Sequence, residues 1–218
     1  MHIQSSNWSL LIQEIAAQLG ISVTQEMCEK FQTHAEELLF WNEKKNLTAI
    51  TEADDIAVKH FADSSVLAPH IAENERVLDM GAGGGFPGLV LAIQRPDIDI
   101  LLIDASRKKA SFLQHIIRKL SLSNANASHI RAEELAEEED LSPFDVVTCR
   151  AFSNIKEVVK LALPLLSKQG RILAMRGKIE DEELEKAMNA YPTILVKEMV
   201  YRLPVENADR TLLEIIVI

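Results

Sequence analysis

Two cysteines in 218 residues, Cys28 and Cys149, stand far apart in the chain. They make neither a metal-ligand spacing nor a disulfide framework, and they point to a reducing compartment. Apolar runs approaching the roughly 20 residues that span a bilayer are missing. The start, "MHIQSSNWSLL", lacks the basic opening and long apolar stretch of a signal peptide. Repeats and low-complexity linkers are absent as well. Positive charge is in deficit: the formal net charge is -10, which argues against wholesale electrostatic capture of nucleic acid. These absences predict a cytoplasmic protein with no membrane partner and no metal, and a monomer is the default. With 47% hydrophobic and 26% charged residues the chain is globular.

The positive residues that are present come in clusters: Lys44-Lys45, Arg107-Lys108-Lys109, Arg118-Lys119 and Arg176-Gly177-Lys178. Each is readable as an ordinary solvated face or as a local basic surface. Acid is concentrated in "EELAEEED", residues 133–140.

Apolar periodicity makes residues 1–70 a helical cap. "SLLIQEIAAQLG" ends at a glycine suited to a C-cap, Thr24 suits the N-cap of a second helix, and "ADDIAVKHFADSSVLAP" reads as a third. From 71 to 218 the pattern alternates. "RVLDM", "DILLIDA", "ASHIRA", "FDVVTCR" and "GRILAMRG" read as strands, with helical segments between them. That is the signature of βαβ units on a parallel sheet. "TILVKEMVYRL" and "RTLLEIIVI", joined by a short polar link, predict a terminal antiparallel pair. The fold class is therefore α/β and Rossmann-like: a mostly parallel seven-stranded sheet with an antiparallel C-terminal strand, plus the N-terminal cap.

Glycine is scarce, with eight in all, yet five fall within "VLDMGAGGGFPG", residues 77–88. A strand running into such a turn and then a helix leaves open backbone against which a flat or anionic cofactor can lie, with N–H groups of the helix available. Two registers fit. Gly83-x-Gly85-x-x-Gly88 satisfies the dinucleotide fingerprint. Asp79-x-Gly81-x-Gly83-x-Gly85 is the pattern of class I methyltransferases that use S-adenosylmethionine. Pro87 favours the second, since it removes an N–H where a dinucleotide needs one. The terminal strand pair favours it too. Asp104 ends the second strand, where a carboxylate can accept from both ribose hydroxyls and also cap the next helix. Glu133 is placed to accept from an adenine amine, or it simply opens the acidic run.

The fourth strand ends in "TCRAF". The Asp/Asn-Pro-Pro-aromatic turn of enzymes acting on exocyclic amines is absent there. Cys149 reads as a buried small hydrophobe rather than a nucleophile. Arg150 can hold a carboxylate or phosphate with both arms of its guanidinium. No general base is evident, which suits a target atom whose lone pair is already available.

Taken in order, "WNEKKNLTAI", "KHFADSSVLAP", "LDMGAGGGFPGLVLAI", "LLIDASRKKASFL", "RAEEL", "FDVVTCRAFS" and "MRGK" give a resemblance. From about Trp41 to Lys178, the chain resembles the bacterial 16S ribosomal RNA (guanine-N7)-methyltransferase G family, also called glucose-inhibited division protein B. Ala82 departs from it, standing where a hydroxyl residue is common. The resemblance implies S-adenosylmethionine as cofactor, with contacts from Gly81, Phe86, Ala132, Glu133 and Arg150. Gly83 and Asp104 join them on the turn and ribose arguments. It implies methyl transfer to N7 of one guanine in small-subunit 16S rRNA, by positioning alone. Asn46, His60 and Asp63 are candidates for the cleft mouth, and Lys44, Lys45, Arg107, Lys108 and Arg176 for phosphate contacts. The net charge suggests that binding needs ribosomal context. Two other readings share the fold: a methyltransferase of small molecules or proteins, and an NAD(P)-binding regulatory module.

Overall fold

The computed structural model describes residues 3, 5–151, 154–204 and 208–217. The end of the "RAFS" motif, the middle of the 204–209 link and the last residue of the final strand-like run lie outside them.

The chain opens with α1 (Ser5–Gln18) and α2 (Gln25–Lys45). Thr24 caps α2 by accepting from the Met27 N–H, as its position predicts. Residues 53–69, expected as one helix, are broken into short pieces. They are α3 (Ala53–Ile56), a π-helical turn (Ala57–Ala62), α4 (Asp63–Ser65) and a 3₁₀ turn (Ala68–His70). The wider π turn is a local deviation of the kind that gathers at functional sites.

The sheet follows: β1 (Arg76–Met80), β2 (Asp99–Ile103), β3 (Ala125–Ser128), β4 (Phe144–Arg150), β5 (Leu166–Arg176), β6 (Ile194–Leu203) and β7 (Ala208–Val217). Its order is β3-β2-β1-β4-β5-β7-β6. The first five strands run parallel, and β7 lies antiparallel between β5 and β6. The central strands are apolar on both faces, as a sheet covered by helices on each side requires. The helices are α5 (Gly88–Gln94), α6 (Arg107–Lys119), α7 (Ala132–Leu135), α8 (Ile155–Ala162) and α9 (Asp181–Ala190).

Two boundaries differ from the sequence expectation. β3 lies earlier than "ASHIRA", because residues 125–128 are the ones that register against Ile100–Ile103. The helix expected over 155–166 stops at Ala162 and β5 begins at Leu166. Pro164, which cannot donate along a helix, lies between them.

One apolar cluster runs from the cap into the sheet. Trp8, Phe31 and Phe61 pack in it together with Phe86, Leu89 and Phe112. The far face of the sheet has its own cluster around Leu78, Phe144, Val147 and Val159. Chain order reverses between β1 and β4, so the carboxyl ends of these strands open a crevice there.

Candidate active site

β1 ends at Met80 and delivers the glycine turn to the mouth of that crevice. Gly81, Gly83 and Gly85 have φ of 74°, 59° and 92°, a region that side chains rarely adopt. A Cβ on Gly83 would meet only the Gly81 carbonyl at 3.8 Å, so open space lies over it. Gly88 is glycine for another reason. A Cβ there would come within 2.5 Å of Asp79 Oδ2.

That carboxylate is wholly buried and accepts from the Gly88 N–H at 2.8 Å. Its other oxygen, Oδ1, has no protein partner. Burial pushes the Asp79 carboxyl up to about 7, against the pull of the Gly88 N–H and the Arg150 charge.

Most of the turn's N–H groups are committed within the protein. Gly81 and Ala82 donate to the Ile103 carbonyl, Gly85 and Phe86 to that of Ala82, and Leu89 to that of Gly85. Gly83 donates to Asp104 Oδ2 at 3.0 Å. Of the N–H groups that the helix after the turn was expected to offer, Asp79 takes that of Gly88 and Gly85 that of Leu89. With most of its N–H groups turned inward, the turn offers little of an anion nest, which counts against a dinucleotide pyrophosphate.

Three adjoining chambers run along the crevice. The first, of 160 Å³, is bounded by Gly81, Asp104, Ile130, Ala132 and Glu133. Asp104 accepts from the Ser106 N–H through Oδ1 and from Gly83 through Oδ2. Each oxygen keeps a further lone pair. Glu133 is exposed in the first turn of α7, and Ala132 is buried beside it.

The second chamber, of 240 Å³, shares Gly81 with the first and adds Gly83, Phe86, Thr48, His60 and Arg150. Phe86 stacks with two imidazoles, His34 at 4.9 Å and His60 at 4.4 Å between ring centroids. The Arg150 guanidinium stands 5.1 Å from the Phe86 centroid.

The third chamber, of 320 Å³, shares His60 and Arg150 with the second and adds Lys59, Asp63, Arg176 and Arg210. Four cations and one carboxylate line it, and they are paired: Lys59 with Asp55 at 3.1 Å, and Arg150 4.0 Å from Asp63. Asp63 accepts from Tyr201 Oη at 2.7 Å, and Arg176 pairs with Glu183 at 3.1 Å.

The crevice thus gathers Gly81, Gly83, Phe86, Asp104, Ala132, Glu133 and Arg150 along its walls, with His60, Asp63 and Arg176 in the third chamber. Asn46 is different. It is exposed at the left-handed C-cap of α2, with φ 51°, and lines none of the three chambers. Lys44 and Lys45 lie in the last turn of α2, where they complement the helix dipole. Arg107 and Lys108 are exposed at the start of α6.

Sequence reasoning passed over Thr48, Lys59, Lys109 and Arg210. Thr48 and Lys59 sit inside quoted motifs, and Lys109 belongs to a noted basic cluster. Arg210 reaches the crevice only through the strand order, which nothing local encodes.

None of the titratable groups nearest the second chamber is free to take a proton. Arg150 donates to the Lys59 carbonyl at 2.9 Å and to His60 Nδ1 at 3.0 Å. His60 Nε2 is in turn bonded to Thr48 Oγ1 at 2.9 Å. Burial, with Arg150 second, pulls His60 down to about 3. Cys149 is buried, and its thiol is pushed up to about 12. Asp79 is sealed beneath the turn. Among the described residues no three His, Cys, Asp or Glu side chains converge to hold a metal ion. No helix of the described residues is long and apolar enough to cross a membrane.

This sheet order and this crevice define a class I, Rossmann-like methyltransferase fold. Solved structures agree on the fold. A SAM-dependent methyltransferase from Aquifex aeolicus superposes with a TM-score of 0.56 at 15% identity, over 74% of this chain and 93% of that one. An rRNA methylase from Streptococcus thermophilus gives 0.52 at 17% identity, over 70% and 92%. The chain belongs to the GidB family, described as rRNA small subunit methyltransferase G, whose profile matches residues 27–212. Curated relatives carry the name ribosomal RNA small subunit methyltransferase G. One from Geobacter sp. (strain M21) is 41% identical over 94% of this chain and 95% of its own length. One from Streptococcus thermophilus (strain CNRZ 1066) is 37% identical over 88% and 83%.

Proposed function

We propose that this chain is an rRNA methyltransferase that transfers the methyl group of S-adenosylmethionine to N7 of a specific guanine in 16S rRNA of the small subunit. The observation that carries the reading is the crevice itself. It joins an open glycine wall to a chamber lined by Lys59, Arg150, Arg176 and Arg210, and the groups nearest the second chamber offer no available base. Guanine N7 carries a lone pair and needs no proton removed, so orientation is the main demand on the protein.

The residues present fit the cofactor. The spare lone pairs of Asp104 suit ribose hydroxyls, and Ala132 and Glu133 flank the space that suits an adenine. Gly81 and Gly83 leave room beside the turn. With most of its N–H groups committed, the turn faces a cationic ligand better than a phosphate. Phe86 and Arg150 close the second chamber. When bound, the cofactor supplies an electrophilic methyl on a sulfonium. The chain's own part is to exclude water and fix the target; Asp63, in the third chamber, offers negative charge as the product ring becomes cationic. The arginine and lysine donors of that chamber suit the phosphates flanking a target nucleotide.

We take a monomer as the working unit, and a ribosomal substrate puts the enzyme in the cytoplasm. The test uses tritiated S-adenosylmethionine with small subunits from a strain lacking the activity. Borohydride–aniline cleavage, which cuts at 7-methylguanosine, then maps the label. We expect label at one guanine, reduced at least about a hundredfold by Arg150→Ala. Cofactor binding with no label on subunits would remove the rRNA assignment.

A further inference from the structure

Thr48 lies in the loop that follows α2 and faces the second chamber across from the glycine turn. Its place is fixed from behind. Asn42 Oδ1, on the last turns of α2, accepts from the Leu47 N–H at 2.6 Å and from the Thr48 N–H at 3.0 Å.

The hydroxyl has two protein neighbours. The Ile50 N–H donates to Thr48 Oγ1 at 3.0 Å. His60 Nε2 lies 2.9 Å away. Which of that second pair donates is settled one step further along. His60 Nδ1 faces Arg150 Nη2 at 3.0 Å, and a guanidinium only donates. His60 Nδ1 must therefore be bare, which puts the ring's proton on Nε2, pointing at Thr48. The direction of Arg150 is itself set by the Lys59 carbonyl. Both acceptor positions of the Thr48 oxygen are thus filled. Its own proton has only the chamber left to point into, so Thr48 is a donor of fixed direction.

Guanine shows two acceptors, N7 and O6, along one edge. Adenine shows N7 beside an amino donor. We propose that the Thr48 hydroxyl donates to O6 of the target guanine and, through the Arg150–His60–Thr48 chain, selects guanine over adenine while holding N7 in place. This rests on the guanine-N7 reading above. A carboxylate in the same chamber would be matched by Lys109, which lines it and lies 3.9 Å from Asp104. The neutral hydroxyl suits a neutral carbonyl.

The test compares the wild type with Thr48→Val, which keeps the shape and loses the hydroxyl, and Thr48→Ser, which restores it. Small subunits are reconstituted with either guanine or 2-aminopurine, which lacks O6, at the labelled position. Rates of methyl transfer are measured for each pairing, and S-adenosylmethionine affinity by titration without subunits. On guanine we expect Thr48→Val to lose about tenfold to a hundredfold in kcat/KM, Thr48→Ser to recover most of it, and cofactor affinity to stay within about twofold. Valine also leaves the Ile50 N–H and His60 Nε2–H without their acceptor, a loss common to both bases, so on 2-aminopurine the fall from wild type to Thr48→Val should be about tenfold smaller than on guanine. The comparison cancels the different intrinsic reactivity of the two bases. If Thr48→Val loses as much on 2-aminopurine as on guanine, the hydroxyl does not read O6. Weakened cofactor binding at an unchanged rate on guanine would assign the hydroxyl to the cofactor instead. A wild type that labels no guanine overturns the functional reading, and this inference with it; that result is distinguishable because it precedes any substitution.

Discussion

At the scale of single residues, two buried features have consequences that can be measured. The first is the contact between Asp79 and Gly88. A methyl group on residue 88 would fall 2.5 Å from Asp79 Oδ2 and 2.7 Å from Leu102 Cδ2. Strand and helix would have to separate there, with the N–H bond to Asp79 at risk. Gly88→Ala should cost about 3 kcal/mol, read as a lower urea midpoint; an unchanged midpoint would refute the account.

The second is the pair of buried imidazoles. Burial holds His34 down to about 4 and His60 to about 3, from the ordinary 6.5. The unfolded chain takes up protons on both below about pH 6.5, while the folded chain does not until pH 4 and 3. Stability therefore falls as pH drops through that window. Asp79 works the other way between about 7 and 3.8, because its folded form holds the extra proton. Two groups outweigh one, so the net loss should reach a few kcal/mol. Urea melts from pH 7 to 4.5 measure it, and replacing His34 or His60 with Gln should flatten the decline. An equally steep decline in both variants would rule the mechanism out.

At the scale of elements, the loop after α2 is held by one side chain. Asn42→Ala would release two N–H bonds at once and free the segment carrying Thr48. The expected result is a stability loss of about 1–2 kcal/mol and a several-fold lower methylation rate, with cofactor affinity kept. A titration beside the rate assay separates these, and lost cofactor affinity would argue against the account.

Asn42 also marks where sequence reading stops. The glycine turn, Asp104 and Arg150 were legible because strand-to-turn spacing carries them, and each sits at the end of an apolar run. Asn42, Thr48 and His34 were not, since their roles depend on what faces them from elsewhere in the chain. His34 donates to the Gly84 carbonyl, fifty positions away. Likewise, apolar periodicity made residues 53–69 one helix. It has no term for a π turn whose Lys59 carbonyl is held by an arginine on β4.

At the scale of the whole molecule, the cap and the sheet share a core. We propose that residues 1–70 and 71–218 unfold as one unit. Both tryptophans, Trp8 and Trp41, lie in the cap, so their fluorescence follows the cap, while far-ultraviolet circular dichroism follows the whole chain. The two midpoints should coincide within about 1 °C; separated transitions would show independent domains.

The three stacked rings of His34, Phe86 and His60 bear on heredity as well as on packing. One ring comes from a cap helix, one from the glycine turn and one from the π turn. Inactivating changes in the gene therefore need not fall in the glycine motif. Substitutions at His34 or His60, in the first third of the coding sequence, should lower methylation although neither lies in that motif. The mutational target for loss of activity is accordingly much wider than the motif by which the family is recognised.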